Sequence, residues 1–154
     1  MGMPNAYKVA NEMLKDRLEE RNMSDDYEKI INSDIIIVSG TYDHIQNVFS
    51  KLDMKFALVT PSKFRSIELN PEQIIFINCP GNIDLQGIRK IKKFVHDGGF
   101  LFTTDWALRN IIEPAFPNYI RYNNRPTGDE VVRVEIQYKD DPFLQTLVDS
   151  NDDP

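Results

Sequence analysis

The chain has 154 residues, 41% of them hydrophobic, enough for one domain with a core of its own and cramped for two. A formal net charge of −6 removes the broad positive field that draws nucleic acid or an anionic membrane surface, so neither is an expected partner. No window approaches the roughly 18 to 20 apolar residues that span a bilayer.

The single cysteine, Cys79, excludes an internal disulfide and suits a reducing compartment. The opening Met1-Gly2-Met3-Pro4-Asn5 has no basic flank before an apolar run, so it does not read as a signal peptide. A cytoplasmic location is the expectation.

In chain order, Ala6, Val9, Ala10, Met13, Leu14 and Leu18 recur at three- and four-residue steps and predict a helix over residues 6–21. Ser24, followed by Asp25, Asp26 and Glu28, reads as the start of a second, short helix that buries Tyr27, Ile30 and Ile31. Residues 1–33 are therefore expected to form a helical segment packed on an α/β domain over residues 34–150. Asp34 to Ser39 is a continuous β-branched run, the pattern of a strand covered on both faces. Ile45, Val48, Phe49 and Leu52 then predict a helix, and Phe56 to Val59 a second strand ended by Thr60-Pro61.

Ile74 to Asn78 is the third predicted strand, closed by Cys79-Pro80-Gly81. Leu85, Ile88, Ile91, Phe94 and Val95 mark a helix that stops at Gly98-Gly99. Phe100 to Thr103 is the fourth strand, and Ala107 to Ile112 a short helix ended by Pro114 and Pro117. A turn-rich stretch follows, then a fifth strand through Val131, Val132, Val134 and Ile136 and a last partial helix through Phe143, Leu144, Leu147 and Val148. Strands alternating with helices predict a three-layer αβα sandwich around a mostly parallel, flavodoxin-like sheet of about five strands. The chain stops soon after the fifth strand, which raises the expectation that it is part of a longer protein.

In open parallel sheets the ligand crevice lies outside the carboxyl ends of the strands. That edge receives Gly40, Thr41, Tyr42, Asp43 and His44 from the first strand, Thr60 and Ser62 from the second, Cys79, Pro80, Gly81 and Asn82 from the third, and Thr104, Asp105 and Trp106 from the fourth. Cys79 with His44 as base is one candidate pair, although a free cysteine at a strand end is more often a small buried hydrophobe. Asp43, His44 and Asp105 offer metal-ligand chemistry without local ligand spacing. Capping of the helices that follow is the favoured use of both acids, and no metal is expected. Arg89, Lys90, Lys92 and Lys93 read as the solvated side of their helix, and His96 as surface. With neither Gly-x-Gly-x-x-Gly nor a Walker-type loop present, no nucleotide cofactor is expected, and the absence of Gly-x-Ser-x-Gly counts against an ordinary serine hydrolase.

Three pieces within residues 34–117 carry a resemblance. They are the strand Asp34-Ile35-Ile36-Ile37-Val38-Ser39, the strand and turn Ile75-Phe76-Ile77-Asn78-Cys79-Pro80-Gly81-Asn82, and the stretch Phe94-Val95-His96-Asp97-Gly98-Gly99-Phe100-Leu101-Phe102. Together they resemble the class I glutamine amidotransferase-like superfamily, especially its trehalose-utilisation (ThuA-like) branch. The resemblance implies that the Gly81 turn matches the oxyanion loop and that Asp105 stands at the nucleophile elbow, where active amidotransferases carry cysteine. No histidine follows His96, so the late His and Glu of the amidotransferase triad have no counterpart. The expected function is a non-catalytic amidotransferase-like module that binds a partner protein or other domains of a longer chain, with Trp106, Phe116 and Tyr119 as candidate anchors. The alternative is a hydrolase or sugar-modifying enzyme using Asp105 or Cys79 with His44. A homodimer through the N-terminal helix is a further expectation.

Overall fold

Four short runs of β-branched and aromatic residues pair side by side in the computed structural model, which describes Val9, residues 34–125, and Gly128, Glu130, Val131 and Tyr138. They are β1 (Ile35–Val38), β2 (Ala57–Val59), β3 (Ile74–Ile77) and β4 (Phe100–Thr103). All three pairings are parallel, in the spatial order β2-β1-β3-β4. Between them run α1 (Ile45–Lys51), α2 (Pro61–Phe64) and α3 (Leu85–His96). A π-helical turn (Leu108–Ile112) and α4 (Glu113–Ala115) follow β4. The order matches the first four positions of a flavodoxin-type sheet, with its reversal point between β1 and β3.

The expected helices over residues 6–21 and 24–31, the division of the chain at residue 33, and the last helix lie outside the described residues. Four strands are described where about five were expected. The fifth falls almost wholly outside the described residues, and its first member, Val131, is exposed and in no regular element. The chain divides into two compact units, Met1–Asn123 and Asn124–Pro154. The second is described only at Asn124, Arg125, Gly128, Glu130, Val131 and Tyr138, all exposed.

Burial follows the two-residue period of the strands. Ile36 and Val38 of β1 face one side, with Ile75 and Ile77 of β3 in register beside them. On that side they pack with Phe64 of α2, Ile91 and Phe94 of α3, and Ala107 and Ile111. Ile35 and Ile37 face the other side and pack with Phe49 of α1. A chain of aromatic contacts crosses this second face: Phe49 meets Phe56 and Phe76, and Phe76 meets Phe102, with centroids 6.3, 4.8 and 5.4 Å apart. Among the four described strands only β1 is buried at every position, as a strand covered on both faces must be.

Local chemistry sets the ends of α3. The Asp84 carboxylate accepts the Gly87 N–H at 2.8 Å, which satisfies one of the four orphan donors of the first turn. At the other end Gly98 turns to φ 103°, and the N–H groups of Gly98 and Gly99 close onto the carbonyls of Val95 and Phe94. Leu85, expected in the apolar stripe, is 70% exposed at the first helical position, so the buried side starts at Gly87.

Lys90 departs from the expected solvated run. Its ammonium donates to the Arg65 and Ile67 carbonyls and closes the turn that follows α2. Helix α2 itself is a single turn, too short for a period to show. Its sequence signal is Pro61 at the first position after Thr60, and it delivers Phe64, fully buried, to the core.

Truncating Phe64→Ala should lower stability by about 3–5 kcal/mol, whereas Leu85→Ala should cost under about 0.5 kcal/mol. Urea denaturation of the two variants against the parent chain measures both, and a large loss in Leu85→Ala would put the core on the wrong side of α3.

Candidate functional site

Asn78, the buried polar side chain just past β3, ties that strand end to the start of α1. Its carbonyl oxygen accepts the Ile45 N–H at 3.1 Å, and its amide donates to the Gln46 side chain at 2.9 Å. The opening of α1 is thus capped from the neighbouring strand end. Asp43, expected to do this, does not: the N-cap position is His44, with no side-chain cap bond. One Asp43 carboxylate oxygen is buried with no hydrogen-bond partner among the described residues. Asp105 is no cap either, because the π-helical turn starts from Ala107 without a side-chain bond.

Gly40 makes the arrangement possible. A Cβ at this position would stand 2.2 Å from the Cys79 carbonyl oxygen and 2.6 Å from Asn78 Cβ, closer than atoms can approach. With no side chain there, the Thr41 N–H reaches the Cys79 carbonyl at 2.8 Å and ties the β1 loop to the β3 turn. The Cys79–Pro80 peptide is cis. The helical segment behind it grips the turn: Asn110 donates to the Pro80 carbonyl at 2.6 Å, and buried Gly81 packs on Ala107 and Ile111.

Asp105 follows β4 by two residues with φ 42°, a left-handed turn between strand and helical segment. Cys79 is buried beside it, and its thiol donates to the Asp105 carboxylate at 3.4 Å. The Cys79 N–H donates to Thr104 Oγ1 at 3.1 Å, and the Thr104 N–H to the Ile77 carbonyl at 3.2 Å, so the β3 turn is tied to the residue that precedes Asp105.

Burial is the main influence on the thiol and pushes its pKa above the ordinary range. The Trp106 N–H pulls it back, while the Asp105 hydrogen bond and the charges of Asp105 and Asp43 raise it further. A buried thiol facing two carboxylates is a poor source of thiolate. The His44 ring is exposed, and its described side-chain contact is Gln46 at 3.4 Å, not Cys79 or Asp105. Two of the three catalytic candidates therefore meet, without the imidazole.

Among the remaining crevice candidates, Thr41, Tyr42 and Asn82 are exposed and Thr104 is half-buried. Trp106, 41% exposed, stands edge-on to Tyr122 with ring centroids 5.3 Å apart. The Arg109 guanidinium lies over both rings, 5.8 Å from the Trp106 centroid and 5.5 Å from that of Tyr122. Glu113 holds Tyr122 in place by accepting its N–H at 3.3 Å. Tyr119 is 89% exposed, whereas Phe116 packs against the main core and is no surface anchor.

Arg109 and Tyr122 were not singled out from sequence. The three-residue step from Trp106 to Arg109 on a helical segment was the available signal. No group of three or more His, Cys, Asp or Glu fit to hold a metal occurs among the described residues. A cleft of about 440 Å³ opens at the opposite end of the sheet, where Asp34, Ile35, Phe56, Ala57 and Gln73 line the strand starts. It contains none of the expected site residues.

Asn78→Ala leaves the Ile45 N–H without its acceptor and should cost about 1–3 kcal/mol in denaturant unfolding. Cys79 gives a pH test. The folded thiol holds its proton longer than the unfolded one, so its contribution is complete below about pH 8.5 and declines as pH rises through the folded value. In Cys79→Ala that part of the alkaline decline should disappear when unfolding free energy is followed from pH 7 upward. An unchanged slope would deny the shift.

Compared with protein-family models, with curated proteins and with solved structures, the chain finds no match.

Proposed function

We propose that residues 34–150 form a flavodoxin-like, three-layer αβα domain of amidotransferase-like kind that has no catalytic role and serves as a binding or protein-interaction module in the cytoplasm. In this reading residues 1–33 pack on the domain, and the partner is another protein or a further domain of a longer chain. The observation that carries it is the Cys79–Asp105 pair. The elbow residue accepts a hydrogen bond from a buried thiol whose ionisation is disfavoured. Nucleophilic catalysis needs the reverse, a group activated by a neighbouring base. Next to Asp105 in the chain, Trp106 and then Arg109 are exposed, and Tyr119 is exposed further on, residue types that concentrate binding energy in protein interfaces.

The alternative, hydrolysis by Asp105 or Cys79 with His44, requires the imidazole within hydrogen-bonding reach, about 3 Å, of its partner. The Gln46 contact of the His44 ring favours the first reading over this one.

The full chain should show no glutaminase or esterase turnover above background, and Asp105→Ala and Cys79→Ala should leave that background unchanged. Turnover in the parent chain that either substitution abolishes would overturn the proposal.

A further inference from the structure

Arg109 is set apart by how its charge is held. Arg65 is matched with Asp84 and Lys93 with Asp97. Arg109 has no carboxylate within ion-pair distance among the described residues, and its recorded contacts are the Trp106 and Tyr122 rings. Arg121, next to Tyr122 in the chain, is exposed and equally without an ion-pair partner there. The nearby acid Glu113 is engaged with the Tyr122 N–H.

A guanidinium laid over two rings keeps its planar fork of N–H donors while losing little further freedom on binding, because its orientation is already restricted. Those donors match a carboxylate in bidentate geometry. Tyr119 and Ile120, which shortly precede Tyr122 in the chain, are exposed as well.

On the reading of this domain as an interaction module, we propose that Trp106, Arg109 and Tyr122 form an anchor for an acidic peptide segment of a partner protein. The fork of Arg109 receives an Asp or Glu carboxylate, and the Trp106 ring covers the aliphatic stem of that side chain. Stacked aromatics with arginine also suit a single-stranded nucleic acid. The net charge of −6 opposes that polyanion far more than it opposes a single carboxylate.

A peptide-display selection against the full chain tests the anchor. Recovered peptides should be enriched in Asp and Glu, and their affinity should fall about tenfold or more in Arg109→Gln. Arg109→Lys, which keeps the charge and loses the planar fork, should restore only part of it. The melting temperature of each variant should stay that of the parent, since the side chain is exposed. Trp106 is the only tryptophan, so its fluorescence reports binding at this site directly. Peptides without acidic enrichment, acidic peptides that bind Arg109→Gln equally well, or no recovered peptide would each overturn the anchor. So would fluorescence that responds to oligo-dT and not to the peptides. The interaction-module reading fails separately, through the turnover assay.

Discussion

The hydrogen bonds of Asn78 are the constraint on which the upper edge of this sheet depends. A fully buried amide needs hydrogen-bond partners, and the first turn of α1 supplies Asn78 with one donor and one acceptor. That fastening fixes where α1 begins, hence where Phe49 enters the second face, and where the loop carrying Thr41, Tyr42 and Asp43 runs. The absent side chain of Gly40 lets that loop touch the β3 turn. Remove the amide and the crevice residues lose their common frame, although the strands keep their apolar reasons to pair.

Around this frame the electrostatics run against ionisation of Cys79. The same two acids that stand where sequence puts the edge of a site, Asp43 and Asp105, bear on Cys79 as like charges and disfavour its anion. The Trp106 N–H acts the other way on the Cys79 sulfur and does not outweigh burial. The thiol at this point therefore keeps its proton, with the Asp105 carboxylate accepting it.

Much of the fold was legible because its signals are local and redundant. The run Ile35-Ile36-Ile37-Val38 reads as a doubly covered strand, and the glycine pair ends α3 where expected. Asp105 after β4 was also legible, by simple counting from that pair. What stayed hidden depends on contacts between distant residues. The cap of α1 comes from a residue more than 30 positions away, so the nearest acid looked like the better candidate. Phe64 was missed because one helical turn carries no period, and Leu85 was misplaced because a stripe cannot tell the first helical position from the second turn. Pairing Trp106 with Tyr122, 16 positions on, needed the chain to turn back after the π-helical turn and α4.

The bond from the Tyr122 N–H to Glu113 has a consequence for how the exposed loop can vary. Glu113 grips a main-chain N–H, which every amino acid but proline carries, so the grip does not read the side chains at positions 119 to 121. Those side chains are open to exchange while the ring behind them keeps its station. Novelty in what the surface distinguishes can accumulate there without disturbing the architecture underneath.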